Sequence, residues 1–367
     1  MFIPMMRISN EKTSKTENRN LATYKPLFKT KGGLNFNYGK DFDNWFSDRF
    51  NFRDKIIFVQ HQTNYKIRTD YVSMNNKSIF KSNGYIIHNY PNTFTPFTDK
   101  ELELYSYNLN KFNEFCEANS IKLYIVIPPA SNSYCKKHIL TFNTMPEDRI
   151  IKLKNYARQK YNLDIIYPEK ELRDNENDEL VYFKTDHHWT DIGAYIIYKD
   201  LISKMKTNLP LLRITPINEF HSYKNTLIRA DYQHKFTLGG EYKQANIKAP
   251  ELLKTEYIYY DYKYPQNIII TGGKEHFTHI NRTGHYKLLI LGDSYMENLT
   301  YFLNTSFYKI EKYRTNMDNL KKPKRKYELE IKAYENIIKK FKPDAIILIK
   351  HSGTMDSLKD MYPQEDN

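Results

Sequence analysis

Two short tracts hold residue types that can perform acyl transfer. Residues 184–190 (KTDHHWT) supply a carboxylate and two imidazoles, and residues 292–295 (GDSY) supply a serine. A serine hydroxyl is a poor nucleophile until a neighbouring imidazole takes its proton. A carboxylate then fixes the tautomer of that imidazole and stabilises its charged form. The two tracts therefore contain the parts of a nucleophilic site, if folding brings them together.

The local patterns place both tracts beside regular structure. The apolar run Leu288–Leu291 predicts a buried strand, and a helix is predicted to follow over Met296–Leu303. The serine would then lie beyond the carboxyl end of a strand, where sites form in parallel sheets. Backbone N–H groups at the helix start could face a developing oxyanion. Thr190 or Asp191 can cap another helix, which would put His188 just before a helix start.

Other interpretations of the same residues stay open at this stage. Gly-Asp-Ser is ordinary turn chemistry, and Asp186-His187-His188 could be a polar cap with solvated imidazoles. A metal site is the weaker alternative, because adjacent histidines point in different directions and no third ligand has a diagnostic spacing. We therefore expect neither a metal nor a cofactor.

Composition sets the class of protein. The chain has 367 residues, of which 40% are hydrophobic, so it can bury a large core. The net charge of +13 suits anionic partners, but the densest basic cluster, residues 321–326 (KKPKRK), is typical of a solvated loop. No nucleic-acid-binding motif accompanies that cluster, so a nucleic-acid partner is not expected.

Cysteines and hydropathy say little about the compartment. The two cysteines, Cys116 and Cys135, form no CxxC motif, and the sequence does not decide whether they pair. Cys116 fits the apolar face of a helix and is predicted to be a buried thiol. We find no apolar run of about 18 residues that would predict a membrane span. Residues 1–6 are too short for the apolar core of a signal peptide.

Strands and helices alternate along most of the chain, which predicts an α/β fold with a central, mostly parallel sheet flanked by helices. Thr98 and Glu101 form a capping box for a helix that ends at Ala118. The other predicted strands are Leu123–Ile127, Leu163–Tyr167 and Ala345–Ile349, and the other predicted helices are Asp148–Tyr161 and Lys326–Lys340. A helix-like stripe ends Asp41–Gln60, and a hairpin is predicted over Asn76–His88 around Asn83-Gly84.

The domain prediction has three parts. Residues 1–35 are expected to form an extended arm, and residues 36–360 one domain. Residues 207–285, which include strand-like runs at Tyr257–Tyr260 and Ile268–Thr271, are expected to be an insertion or a sheet edge.

Several motifs together resemble the SGNH-hydrolase-like family of the alginate O-acetyltransferases AlgX and AlgJ and the related DHHW proteins. They are TDHHWTDIGAY, LLILGDSY and KPDAIILI, supported by ENRNLATYKP, FDNWFSDRFNFRD and NKSIFKSNGYIIH. The resemblance implies an SGNH-hydrolase-like fold with a permuted motif order, in which aspartate and histidine precede serine. No separate C-terminal carbohydrate-binding module is expected.

The resemblance also implies roles for individual residues. Asp186 would orient the base, His188 would be the general base and Ser294 the nucleophile, whereas His187 occupies the variable position. Arg314 is a weaker candidate for a basic residue that lines the site or contacts the oxyanion, since a surface arginine after a strand is the alternative. Asp293 is expected to support the turn. Residues 350–353 (KHSG) do not match the acidic pattern expected there.

The expected activity is transfer of acetyl groups through a serine acyl-enzyme to hydroxyls of an exported polysaccharide, as in the biosynthesis of an alginate-like polymer. A membrane-bound O-acyltransferase would supply the acetyl group, and the location would be the periplasm or cell envelope. A carbohydrate esterase with the same three residues and a non-catalytic glycan-binding component of an assembly system are the alternatives. A basic nucleic-acid binder is the least favoured.

Overall fold

A computed structural model gives the structure of the chain. It describes residues 10–14, 19–29, 32–50, 53, 56, 70–72, 78–81, 86–88, 95–131, 149–175, 180–183, 187–227, 257–263, 268–272, 276–314 and 331–362.

The chain divides into two compact units. The first comprises residues 1–88, 184–186 and 227–257, and the second comprises residues 89–183, 187–226 and 258–367. The predicted boundary between an arm (1–35) and one domain (36–360), and the insertion predicted over 207–285, stay predictions.

The helices and strands are numbered in chain order. The helices are α1 Tyr38–Arg49, α2 Asp99–Ala118, α3 Arg149–Tyr161, α4 Glu169–Asp174, α5 Asp191–Met205, α6 Met296–Leu303 and α7 Ile331–Phe341. The strands are β1 Thr13–Ser14, β2 Arg19–Asn20, β3 Asp70–Val72, β4 Ser78–Lys81, β5 Ile86–His88, β6 Lys122–Val126, β7 Ile165–Ile166, β8 His221–Leu227, β9 Tyr257–Lys263, β10 Ile268–Gly272, β11 His276–Asn281, β12 Lys287–Gly292, β13 Lys309–Arg314 and β14 Ala345–Ile349. Two 3-10 segments cover Ile217–Glu219 and Ser352–Asp360.

A seven-stranded sheet organises the second unit. Its strand order is β10-β11-β13-β12-β14-β6-β7. The strands from β13 to β7 pair in parallel, whereas β11 and β10 are added to one edge in antiparallel fashion. Parallel strands joined through helices require both faces of the sheet to be covered. The predicted fold class, a mostly parallel sheet flanked by helices, is confirmed.

Both faces of the central strands are buried. Every residue of β14 is buried, as is β12 from Leu288 onward, so neither strand shows a polar alternation. On one face, Leu289, Leu291, Ile346 and Leu348 join the core formed with α2, α3 and α7. Helices α5 and α6 lie together on the other face, where Lys312 of β13 is paired with α6. The continuous apolar runs in the sequence are explained by this two-sided cover.

Helix α2 has the predicted start and the predicted apolar face. The Thr98 hydroxyl accepts the Glu101 N–H at 3.2 Å, and the Glu101 carboxylate accepts the Thr98 N–H at 2.8 Å. Both halves of the capping box are therefore present. All five residues predicted to face the core are buried, namely Leu102, Tyr105, Leu109, Phe112 and Cys116. Cys116 is a buried free thiol, as predicted, and Cys135 lies outside the described residues.

Some predicted boundaries were wrong. Only Ile165 and Ile166 of the predicted strand Leu163–Tyr167 pair with a neighbour. The reason is that Asn162 adopts a left-handed φ of 52° and the Leu163 N–H still bonds to Ala157 O at 3.3 Å. Leu163 therefore belongs to the C-terminal cap of the preceding helix and does not pair with a strand. Helix α7 extends to Phe341, one residue beyond the prediction, and residues 326–330 lie outside the described part of the chain.

The first unit contains α1 and two small sheets. Strands β3, β4 and β5 form an antiparallel sheet, in which Ser78 lies opposite His88. The antiparallel pairing of the predicted hairpin is therefore confirmed, while its turn at Asn83-Gly84 lies outside the described residues. Strands β1 and β2 pair antiparallel within the predicted arm. In the described ranges, no helix is both long enough and apolar enough to cross a bilayer.

Candidate active site

His188 and Ser294 come together in the second unit. The His188 Nε2 atom lies 2.7 Å from the Ser294 Oγ atom, although 106 positions separate the two residues. Both residues are partly buried. A ring nitrogen at this distance can accept the hydroxyl proton. Asp186 lies outside the described residues, and its role stays a prediction.

The serine lies on a tight turn at the end of β12. A Cβ atom added to Gly292 would lie 2.0 Å from Ile349 Cγ2 and 2.8 Å from Ile349 O, so only glycine fits between β12 and β14. Two residues after Ser294, the chain enters α6, whose first N–H groups include that of Glu297, bonded to Ser294 O at 3.1 Å. Ser294 therefore lies at the positive end of the helix dipole.

The Asp293 carboxylate holds this turn in place. Asp293 is 2% exposed, and its Oδ1 accepts the Tyr295 N–H at 3.1 Å. Its Oδ2 accepts the N–H of His351 at 2.6 Å, which ties the turn to the residues that follow β14. The expectation that Asp293 supports the turn is confirmed by these bonds.

The loop that carries His188 is fixed at both ends. Phe183 donates its N–H to His188 O at 3.2 Å, and Thr190 donates its N–H to Val181 O at 2.9 Å. The fully buried Trp189 forms an antiparallel bridge with Tyr182. Beyond the loop, the Thr190 hydroxyl caps α5 by accepting the Gly193 N–H at 3.2 Å, as the sequence predicted. The main chain around the imidazole is thus defined by hydrogen bonds on both sides.

Tyr295 connects the serine turn to the histidine loop. Its hydroxyl donates a hydrogen bond to the carbonyl oxygen of His187, and its ring centroid lies 5.0 Å from that of His188. The ring also packs edge-on against Trp189 and stacks on His351 at 4.7 Å. Sequence reasoning missed Tyr295 and His351 as parts of the site. The available signal was that a buried tyrosine next to the serine needs a hydrogen-bond acceptor.

A buried charged group lies beneath the first turn of α6. Lys312 of β13 is fully buried and forms an ion pair with Glu297. Burial lowers the pKa of Lys312 to about 8, with Glu297 opposing that shift. On the neighbouring strand, burial and then the charge of Lys312 lower the pKa of His279 to about 4, so His279 is neutral at pH 7. The ion pair joins the helix after the serine to the sheet.

Arg314 ends β13 at the same edge of the sheet. The parallel register places Arg314 beside Gly292, two residues before Ser294. By the alternation of side chains along a strand, it shares the face of Lys312, which α6 covers. The position is compatible with the role expected of Arg314. Its contact with a substrate or an oxyanion stays a prediction.

The arrangement provides acid–base and nucleophilic chemistry. The described residues contain a hydroxyl in contact with an imidazole, and a helix start beside the hydroxyl. Within the same ranges, no group of three His, Cys, Asp or Glu side chains is placed to hold a metal ion. A serine hydroxyl in contact with an imidazole can be activated as a nucleophile.

Comparison with known families agrees with this geometry. Residues 96–255 match the family described as the SGNH hydrolase-like domain of acetyltransferase AlgX. This match confirms the resemblance to the AlgX family. The AlgX-like segment includes His188 but ends before Ser294, which the fold brings to the histidine. The matched family is one of acetyltransferases.

Solved structures share the fold of this chain. Bacillus cereus PatB1 superimposes with a TM-score of 0.55 at 14% identity, covering 76% of this chain and 97% of that chain. A DHHW family protein from Eubacterium siraeum gives a TM-score of 0.52 at 16% identity, covering 77% of this chain and 97% of that chain. No curated protein matches the sequence. At these identities the likeness concerns the fold alone.

Proposed function

We propose that this protein is an O-acetyltransferase that moves acetyl groups through a Ser294 acyl-enzyme to the hydroxyls of an exported or cell-surface polysaccharide. The observation that carries the proposal is the 2.7 Å contact between His188 Nε2 and Ser294 Oγ. The match to an acetyltransferase family supports the identity of the acyl group. A polysaccharide related to alginate is the expected acceptor class.

In the first step, His188 Nε2 takes the proton from Ser294 Oγ as that oxygen attacks the carbonyl carbon of an acetyl ester. The resulting oxyanion is stabilised by the backbone N–H of Ser294 at the start of α6. The tetrahedral intermediate collapses, and the bond to the donor oxygen breaks. The imidazolium returns its proton to the departing alkoxide, which leaves an acetyl ester on Ser294.

In the second step, a sugar hydroxyl attacks the acetyl-serine. His188 takes the proton of that hydroxyl, and after the Ser294 ester bond breaks, the imidazolium protonates Oγ. Asp186 would accept the Nδ1–H of His188, which keeps Nε2 available as the base. The donor would be supplied by a membrane-bound O-acyltransferase, and the site would work in the periplasm or cell envelope.

Covalent labelling tests the nucleophile. Bacillus cereus PatB1 has been solved with a sulfonyl adduct, so an aryl sulfonyl fluoride is a suitable probe. We expect one adduct on Ser294, located by peptide mass spectrometry, and none in Ser294→Ala. Ser203→Ala is the matched control, because Ser203 is exposed and its hydroxyl bonds to Lys199 O within α5. Circular dichroism should show that both variants are folded. Equal labelling of Ser294→Ala and wild type would refute the assignment.

Product analysis separates the transferase from the esterase that the same residues could support. The protein is incubated with an aryl acetate and acidic or neutral oligosaccharides, and acetylated sugar is measured against free acetate. We expect sugar-dependent transfer, lost in Ser294→Ala. Release of acetate alone with every acceptor would indicate an esterase. Failure of the folded protein to label or to cleave the ester would favour a non-catalytic glycan-binding role.

A further inference from the structure

Exposed apolar side chains are concentrated in one stretch of the first unit. Among the described residues, eleven large hydrophobic side chains are exposed, and seven of them lie between positions 24 and 46. We call these seven the arm surface, and they are Tyr24, Leu27, Phe28, Leu34, Phe36, Phe42 and Phe46. Phe36 is 92% exposed and Phe28 is 69% exposed. Single exposed apolar residues are ordinary, but a contiguous set marks an interaction site.

Three of the seven side chains, Leu27, Phe28 and Leu34, lie on described main chain that hydrogen bonds hold together. Phe28 and Leu34 form an antiparallel bridge, and the Asn35 N–H bonds to Leu27 O at 2.7 Å. Gly32 and Gly33 turn the chain with φ values of 85° and 91°, which favour glycine. Backbone hydrogen bonds therefore hold the main chain of Leu27 and Phe28 against that of Leu34 and Asn35.

Helix α1 continues the arm surface with a row of aromatic rings. Phe42 stacks on Phe46 at 6.1 Å, and Trp45 packs against both Phe42 and Tyr24. The polar side of α1 is hydrogen-bonded to the main chain of the preceding segment. Arg49 is buried and donates to Ala22 O at 3.1 Å, and Asp48 accepts the Ala22 N–H at 2.7 Å. These polar bonds fix the helix with its aromatic row at the surface.

The charges on the arm surface identify its partner. Lys25, Lys29 and Lys40 are exposed within the same stretch, where Lys25 pairs with Asp41 at 3.0 Å and Asp43 is the exposed carboxylate. The whole chain carries a net charge of +13. Aromatic and leucine side chains beside lysines are the composition of segments that lie in a bilayer interface. Aromatic rings can stack on the C–H faces of sugars, but Leu27 and Leu34 have no flat face for such stacking, so a polysaccharide would use only part of the arm surface. Lysine ammonium groups at this position favour anionic headgroups.

We propose that the arm surface binds peripherally to an anionic lipid bilayer. Phe28 and Phe36, the most exposed of its side chains, enter the boundary between headgroups and acyl chains. Lys29 and Lys40 then lie at the level of the lipid phosphates, while Lys25 stays paired with Asp41. None of these residues belongs to the His188–Ser294 site, which lies in the second unit.

Vesicle binding by the full-length protein tests the proposal. Sedimentation with vesicles of phosphatidylglycerol and phosphatidylcholine is compared with phosphatidylcholine alone. We expect binding to the anionic vesicles, and at least a tenfold weaker partition for Phe28→Ser/Phe36→Ser. Leu211→Ser is the matched control, since Leu211 is 55% exposed outside the arm surface and should bind as wild type does. Lys29→Gln/Lys40→Gln should reduce the preference for anionic vesicles and its dependence on salt.

Tryptophan fluorescence gives a second readout. The chain has two tryptophans, and Trp189 is fully buried, so a blue shift on adding anionic vesicles reports Trp45. The proposal is overturned if wild-type protein stays in the supernatant with anionic vesicles, or if Leu211→Ser loses binding equally. It is also overturned if wild type is a dimer that does not bind vesicles and that Phe28→Ser/Phe36→Ser makes monomeric, because the surface would then join two copies.

Discussion

The two ends of the parallel strands are built differently. At the carboxyl ends of β12 and β14, Asp293, Tyr295 and Lys350 are buried, and the carboxylate of Asp293 is bonded to main-chain N–H groups. At the amino ends, Lys287 and Lys309 are only partly buried and line an open cavity with Lys340. The Lys309–Glu311 ion pair found there is 3.6 Å long and partly exposed.

This difference shows at which end of the strands the positions of polar side chains are fixed. Polar groups taken out of water must be hydrogen-bonded, so each one at the carboxyl ends fixes the position of its neighbours. Charges that remain in contact with water contribute little to stability and do not fix geometry. Substitutions at the carboxyl ends should therefore disturb the serine turn, whereas similar substitutions at the amino ends should not.

Gly292→Ala should give the largest loss of stability. The new Cβ would lie 2.0 Å from Ile349 Cγ2, so β12 and β14 must move apart at the serine turn. We expect a loss of about 3 kcal/mol in the free energy of unfolding, the upper range for overpacking. Urea unfolding followed by fluorescence measures it. Gly39→Ala on α1 is the control, because its Cβ would meet nothing within 4 Å. If Gly292→Ala is as stable as wild type, the close approach of the strands is wrong.

The buried Lys312 should make the free energy of unfolding depend on pH, whereas the partly exposed Lys309 at the amino ends should not. Because burial lowers its pKa from 10.5 to about 8, the folded state binds fewer protons than the unfolded state between these values. Stability therefore rises with pH across this window, by about 3 kcal/mol if the whole shift is expressed. The rise should disappear in Lys312→Met and persist in Lys309→Met. The free energies of unfolding of wild type, Lys312→Met and Lys309→Met are measured at pH 7, 8, 9 and 10. The same slope against pH in all three proteins would contradict a lowered pKa for Lys312.

Local patterns were enough to predict much of this site. The apolar run before Ser294, the helix after it and the Thr190 cap after His188 each depend on residues close in sequence. Their prediction needed only strand burial, turn chemistry and helix capping. The turn-supporting role of Asp293 was predictable for the same reason.

Long-range contacts were not predictable in this way. In residues 309–314 (KIEKYR), Lys312 has the pattern of an exposed strand residue and is buried only because α6 covers it with Glu297. The N–H of His351 bonds to Asp293 because β12 and β14 are neighbours in the sheet. The strand order cannot be read from local sequence patterns. Strand β11 has no apolar alternation, since its buried residues include His279 and Asn281. Each miss is a polar group whose burial depends on a distant element.

Tyr295→Phe should have the smallest effect on stability and a selective effect on the reaction. The hydroxyl lost is the one that holds the His187 carbonyl, so the main chain next to His188 becomes less constrained. We expect a loss of about 1 kcal/mol in stability and roughly tenfold slower labelling of Ser294 by the sulfonyl fluoride, with the ester KM unchanged. Tyr198→Phe is the control, because it also removes a buried hydroxyl, here bonded to Ser306 at 2.7 Å. That control should lose stability without slowing the labelling. If both variants slow it equally, the effect is general loosening of the fold and Tyr295 has no particular role in positioning the base.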